Sequence, residues 1–137
     1  MLYLEVDVRS PVAIYEQIVG SIQRLVREEK LIPGADLPPV RQLASDLEIN
    51  PNTVARAYSL LEKDGIIETA RRRGTRISDS ALSRAQLSLA GRIEKAVDRV
   101  VRETAHLGID PDDLVQALIR RLETSAHKNS YAKRRRP

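Results

Sequence analysis

The chain has 137 residues, of which 42% are apolar and 31% are charged, and it contains no cysteine, tryptophan or phenylalanine. The apolar fraction excludes wholesale disorder, and the lack of cysteine excludes a disulfide framework, a thiolate zinc site and a thiol nucleophile. The apolar runs are far shorter than the roughly 20 residues that a membrane helix needs. The first ten residues do not have the basic start and apolar run of a secretory signal, so we expect a cytoplasmic protein with no membrane partner.

The net charge of +4 comes from one end of the sequence. Residues 1–78 contain 11 Lys/Arg and 11 Asp/Glu, whereas five basic residues fall within the last ten positions. Bulk charge therefore predicts no nucleic-acid partner, and only local clusters of charge bear on that question.

The start of the chain predicts a strand followed by a helix. Residues 2–8 alternate between apolar and polar side chains, which is the period of a strand. Ser10 and Pro11 have the residue types of a helix N-cap and a first-turn proline. The apolar positions of this helix are Ile14, Ile18, Ile22 and Leu25, and Pro33–Gly34 turns the chain after it.

Two short helices joined by a tight turn come next. The first extends from about Pro39 to Leu47, and the second begins at Pro51 with Asn50 as its N-cap and closes at residues 63–65. This spacing is typical of a helix-turn-helix. Residues 66–69 and 75–78 then predict two small strands around an arginine-rich turn. Three helices followed by a hairpin are the element order of a winged helix, so the predicted fold class is mainly α.

The pattern changes from residue 80 onward. A long helix ends near Gly108, and a second begins at Asp110–Pro111, whose acids suit a helix N-terminus. Two helices cannot enclose a core alone, so a second copy of the pair is the simplest partner. We therefore predict a winged-helix domain at 1–78, a dimerisation region at 79–127 and a disordered basic tail at 128–137. The predicted dimer contacts are Leu89, Ile93, Val97, Val100, Leu114, Leu118 and Leu122.

Candidate DNA contacts lie in the helix-turn-helix and in the hairpin turn. On the second helix of the motif, asparagine matches adenine and arginine matches guanine, and the preceding helix and the turn hold phosphates. A lone arginine more often lies on a solvated helix face, and capping alone explains Asn50. The arginine-rich turn is the sharper signal, because a hairpin tip requires glycine but not several like charges; a merely soluble loop is its alternative. The candidates are Arg41, Asn52, Thr53, Arg56, Arg71, Arg72, Arg73, Gly74 and Arg76.

An enzyme has little support in this sequence. His106 and His127 have no metal-ligand spacing, the acids at 110–113 are explained by a helix start, and no phosphate loop or nucleophile motif is present. We therefore expect no catalytic residue, no metal and no cofactor. RNA or single-strand binding is disfavoured, because four tyrosines form no evident stacking platform.

Ordered motifs give residues 10–78 a family resemblance. PGADLP, VRQLA, NPNTVARAY, LEKDGII and RGT together resemble the winged-helix domain of GntR-family transcription regulators, and the short remainder resembles the YtrA-like subfamily. The resemblance implies a homodimer without a large effector pocket, and a repressor often linked to transporter operons. It also matches Arg41, the helix residues 52, 53 and 56, and the hairpin-turn residues Arg73 and Gly74 to DNA contacts. Pro39 departs from the serine of many relatives, which removes one phosphate donor.

These patterns lead to one principal hypothesis and two alternatives. We expect a dimeric, sequence-specific protein that binds duplex DNA and represses transcription. It would read a palindromic operator whose half-sites lie roughly 34 Å apart. The first alternative is a winged-helix protein-interaction module that does not read DNA. The second is a metal-dependent enzyme that uses the acids at 110–113. A small-molecule effector is compatible with the sequence, but no residue cluster nominates its site.

Overall fold

The computed structural model describes residue 2 and residues 4–134, with side chains described as far as residue 125. Within these residues the chain forms a mainly helical fold with one small antiparallel sheet. This confirms the predicted fold class. The elements are α1 (Ile14–Arg27), β1 (Asp36–Leu37), α2 (Val40–Leu47), α3 (Pro51–Lys63), β2 (Ile67–Ala70), β3 (Gly74–Ile77), α4 (Ala81–Thr104), a 3-10 turn (Ala105–Leu107) and α5 (Pro111–Arg134).

The chain divides into two compact units, and the first ends at Ile93. Its core forms where α3 packs against both α1 and α2, because each helix has one apolar face. The fully buried side chains include Ile18, Ile22, Leu43, Val54, Leu61, Ile66, Ile67 and Ile77. This core holds the helix-turn-helix and the hairpin in one body.

The sheet has the strand order β1-β3-β2, and both pairings are antiparallel. The β2–β3 hairpin was predicted, and the structure confirms it with Glu68 opposite Arg76 and Ala70 opposite Gly74. The sequence did not predict β1, because two residues are too short to show a period. Its flanks join β3 through backbone hydrogen bonds from Gly34 N–H to the Ile77 carbonyl and from Ile77 N–H to the Ala35 carbonyl, each 2.8 Å long.

The predicted N-terminal strand is wrong, because residues 4–8 form no strand in the structure. The alternating side chains do serve packing, since Leu4 is buried and Val6 packs against the core. The Gln17 side chain makes hydrogen bonds with the backbone of this segment, which a neighbouring strand would make in a sheet. Its Oε1 accepts from the Asp7 N–H at 2.8 Å, and its Nε2 donates to the Asp7 carbonyl at 2.9 Å.

The predicted start of the first helix is also wrong. α1 begins at Ile14 with Ala13 at the N-cap, rather than at Ser10 and Pro11. Ser10 Oγ accepts a hydrogen bond from the Val12 N–H at 3.1 Å, so its side chain closes a local turn before the helix begins.

The first unit extends beyond the predicted boundary at residue 78. Ala81 and Ala85 of α4 are fully buried, and Gln23 Nε2 of α1 donates to Ser88 Oγ of α4 at 3.1 Å. Because Gln23 is itself buried, this hydrogen bond satisfies an amide that would otherwise be costly to remove from water. The first turns of α4 thus belong to the core of the first unit.

The second unit begins at Glu94 and contains the rest of α4, the 3-10 turn and α5. Gly108 has φ +64° at the end of the turn, and Asp110 Oδ1 caps α5 by accepting from the Asp112 N–H at 2.9 Å. α5 continues to Arg134, which places residues 128–134 of the predicted tail within a helix; this stretch contains no glycine or proline. Residues 135–137 of that tail lie outside the described residues.

Candidate nucleic-acid interface

The N-terminus of α3 is fixed by its cap. Asn50 Oδ1 accepts from the Asn52 N–H at 2.8 Å, and Pro51 occupies the first turn, so the predicted capping role of Asn50 is confirmed. The Asn52 side chain is exposed and Thr53 is half-buried. The first turn of α3 therefore presents an exposed amide side chain at a capped helix start.

The exposed face of α3 lies opposite its core face. Val54, Ala57, Tyr58 and Leu61 are buried, whereas Asn52 and Arg56 are exposed. Residues four apart are neighbours on a helix surface, so the amide of Asn52 and the guanidinium of Arg56 share this face.

The Arg56 guanidinium stacks on an aromatic ring from another helix. Its Cζ lies 3.8 Å from the ring centroid of Tyr15 in α1. The sequence did not identify Tyr15, because helix periodicity reports on one element and not on contacts between elements. Its one available signal was an aromatic residue at the edge of the apolar face of α1.

Tyr58 ties α3 to the segment before α2. Its hydroxyl donates to the Pro38 carbonyl at 2.7 Å, and burial raises the pKa of the phenol well above its ordinary value. The packing role predicted for Tyr58 is confirmed, since only 6% of the residue is exposed. Arg41 is exposed in the first turn of α2, three residues after Pro38. The hydrogen bond from Tyr58 to Pro38 therefore joins α3 to the segment that leads into Arg41.

The hairpin between β2 and β3 forms the wing. Gly74 has φ +72°, a backbone conformation that favours glycine, and the Arg73 N–H donates to the Ala70 carbonyl at 3.1 Å to close the turn. Arg71, Arg72 and Arg73 are exposed, and among the described residues none forms an ion pair with them. We call these three residues the wing tip.

Arg76 differs from the wing tip. Its Nη2 lies 3.5 Å from Glu68 Oε2, the carboxylate directly opposite it on β2. A cross-strand pair of opposite charges stabilises the hairpin modestly. The four arginines of the predicted phosphate patch thus divide into three unpaired charges at the tip and one that is partly neutralised at its base.

The predicted dimer contacts expose much apolar surface on α4 and α5. Leu89 and Leu114 are half-buried, whereas Ile93, Val97, Val100, Leu118 and Leu122 are exposed. Leu122 is 60% exposed and Val97 48%. Large apolar side chains this exposed on helices are typical of a surface that another chain covers.

A cleft of about 430 Å³ beside α2 is lined by Leu2, Asp36, Leu37, Pro38, Gln42 and Asp46, with Gln42 Nε2 donating to Asp46 Oδ1 at 2.8 Å. Within the described part of the chain, no three histidine or carboxylate side chains converge to hold a metal ion. In the same residues, no helix is both long enough and apolar enough to cross a membrane.

Comparison with known proteins gives consistent matches. Residues 14–77 match the family described as bacterial regulatory proteins, gntR family. The chain is 37% identical over 111 residues to the HTH-type transcriptional repressor YtrA of Bacillus subtilis (strain 168), covering 81% of this chain and 85% of that protein. Two solved structures are also similar. A GntR family transcriptional regulator from Listeria monocytogenes has a TM-score of 0.61 and 29% identity, covering 84% of this chain and 98% of its own. YtrA from Sulfolobus acidocaldarius has a TM-score of 0.56 and 32% identity, and the match covers 69% of this chain and 97% of that one.

Proposed function

The chain belongs to the GntR family of bacterial regulatory proteins as a YtrA-like member, and from this membership we propose that it represses transcription by binding a palindromic DNA operator as a homodimer. That it is a DNA-binding transcription regulator and not an enzyme follows from the family. We propose in addition that it binds a duplex operator through specific base contacts, that it is a homodimer and that it represses transcription.

The three unpaired arginines of the wing tip are the main support for binding to DNA phosphates, which is independent of base sequence. Arg71, Arg72 and Arg73 repel one another at a hairpin end, whereas Arg76 is opposed by Glu68. Phosphates of a duplex relieve that repulsion, and arginines at a wing fit a narrow minor groove. Arg41, in the first turn of α2, is proposed to add a phosphate contact.

Base readout is proposed for the exposed face of α3. A recognition helix presents its first turns to the major groove, where Asn52 suits adenine and Arg56 suits guanine. The half-buried Thr53 is placed to reach a phosphate or a thymine methyl group. The Asn50 cap supports this role, because it holds the first turn in place before DNA binds.

The homodimer is proposed to form through α4 and α5. The exposed apolar side chains of these helices support a second copy as partner, because a symmetric pair buries the same face twice. Two recognition helices related by a two-fold axis read half-sites about one helical turn, roughly 34 Å, apart. The palindrome in the operator then mirrors the symmetry of the protein.

A regulator of transcription works where the chromosome is, so the cytoplasm is its proposed compartment. The link to a transporter operon rests on the family resemblance, and the described residues nominate no specific effector site. The protein-interaction module remains the second candidate function, since the apolar surface on α4 and α5 also suits a different partner.

Selection of duplexes from a random-sequence library tests the proposal. The wild-type protein is expected to recover a palindromic consensus, here called the selected duplex, and to prefer it to a scrambled duplex of the same composition. Replacing Arg71 and Arg73 together with alanine should weaken binding to both duplexes. An interaction module would recover no consensus, and the double substitution would leave its partner binding intact.

A further inference from the structure

The ring of Tyr15 is a fixed platform at the start of α1. It is the second residue of the helix, it is half-buried, and it packs against the core of the first unit. Its hydroxyl donates to Glu16 Oε1 at 3.3 Å. Core packing on one side and a hydrogen bond at the ring tip limit the freedom of the ring before any ligand binds.

Arg56 stacks on this platform without using its donors. Its Cζ lies 3.8 Å from the ring centroid, which is the geometry of a cation–π contact. A guanidinium carries its N–H donors in its own plane, so stacking occupies a face and leaves the edges available. Among the described residues, none accepts a hydrogen bond from the Arg56 guanidinium or forms an ion pair with it.

The stack lies on the exposed face of α3. Arg56 comes one turn after Asn52, and the neighbouring Val54 and Ala57 are buried in the core. The charge of Arg56 is therefore held on the same face as the exposed amide of Asn52, and no residue that the structure describes accepts a hydrogen bond from its guanidinium.

We propose that Tyr15 is a positioning residue for specificity, which holds Arg56 in the orientation in which its donors meet a base edge. The inference rests on the proposed function, because it concerns DNA readout by α3. A long side chain that is free before binding loses rotamer freedom when it is ordered at an interface. The stack on Tyr15 orders Arg56 in advance, so the affinity for the correct bases rises.

Substitution of the ring tests the proposal. Tyr15→Leu keeps an apolar side chain against the core and removes the π face. It should lower affinity for the selected duplex about two- to tenfold, which is the cost of ordering one rotamer-rich side chain at an interface. Affinity for the scrambled duplex should not change. Tyr15→Phe, the matched control, keeps the ring and should bind the selected duplex within about twofold of wild type.

A double-mutant cycle separates positioning from a structural effect. In the Arg56→Ala background, Tyr15→Leu should cause no further loss on the selected duplex, because the side chain that it positions is gone. Additive losses would overturn the proposal, as would equal weakening on the scrambled duplex or a Tyr15→Phe loss as large as that of Tyr15→Leu.

An NMR measurement on the wild-type protein does not depend on a variant that folds. The Cδ protons of Arg56 should be shifted upfield by the Tyr15 ring, both free and bound to the selected duplex. Random-coil shifts would overturn the proposal. If the wild-type protein prefers the selected duplex and Tyr15→Leu binds that duplex with the same affinity, only this inference fails. If the wild-type protein has no preference between the two duplexes, the proposed function fails, and the specificity role of Tyr15 fails with it.

Discussion

At the scale of single residues, Tyr58 combines packing with one specific hydrogen bond. Its ring fills the core side of α3, and its hydroxyl satisfies the Pro38 carbonyl at 2.7 Å. Tyr58→Phe keeps the ring and removes this bond, so the free energy of unfolding should fall by about 0.5–1.5 kcal/mol. Urea unfolding at pH 7 measures the change, and an unaltered midpoint would contradict the account.

The same residue gives a dependence of stability on pH. Burial raises the pKa of Tyr58 in the folded state, so the folded protein holds this proton more tightly than the unfolded chain does. Its contribution to stability is fully present below the unfolded pKa of about 10 and is lost as the pH rises from there toward the folded pKa. Unfolding of wild type and Tyr58→Phe between pH 8 and pH 11 checks the sign. The difference between them should shrink at alkaline pH, and a difference that grows would contradict it.

The wing arginines should differ in their effect on salt dependence. Arg72 is an unpaired charge of the wing tip, so Arg72→Ala should reduce the slope of log affinity against log salt by about 1. Arg76→Ala is the matched control within the same hairpin, because Glu68 already opposes its charge. Its slope should change less than that of Arg72→Ala. Equal changes in the two variants would show that the ion pair does not distinguish them.

At the scale of elements, the start of α3 depends on its cap. Asn50→Ala removes the acceptor of the Asn52 N–H and should lower the free energy of unfolding by about 0.5–2 kcal/mol. Asn50→Ser keeps a capping oxygen and serves as the control. Affinity for the selected duplex should follow the same order, because a frayed first turn misplaces Asn52. Alanine and serine variants of equal stability would exclude the capping role.

The sequence predicted best those elements whose ends carry local signals. α3 is bounded by the Asn50–Pro51 cap and by the Lys63–Gly65 stop, and the hairpin has its glycine at the turn. Residues 2–8 misled the prediction, because alternation reports that one face is buried and does not report whether a neighbouring strand exists. Ser10 misled it for a related reason: a serine that closes a short turn has the same residue type as a helix cap.

For the candidate site, too, the sequence predicted positions within one element but not contacts between elements. The exposed positions Asn52 and Arg56 follow from helix periodicity, since both lie opposite the apolar face of α3. The stack of Arg56 on Tyr15 and the pairing of Arg76 with Glu68 depend on how separate elements meet. Helix and strand periods do not carry that information.

At the scale of the whole molecule, the proposed binding to a palindromic operator requires a second copy of the chain. Leu122 is 60% exposed on α5, and Leu122→Glu places a charge where the homodimer is proposed to bury an apolar face. This variant should sediment as a monomer and bind the selected duplex more weakly than wild type. Ile32→Glu is the matched control, since Ile32 is 59% exposed in the first unit, and it should remain a dimer. If the Leu122→Glu protein remained a dimer, Leu122 would lie outside the interface.

Sequence-specific readout by α3 is tested by binding of the wild-type protein to the selected duplex and to the scrambled duplex across a salt series. We expect a preference for the selected duplex at every salt concentration, with affinity falling steeply as salt rises because arginines release counterions from the phosphates. Equal affinity for the two duplexes would contradict sequence-specific readout by α3. Affinity that is independent of salt would contradict the role assigned to the wing tip.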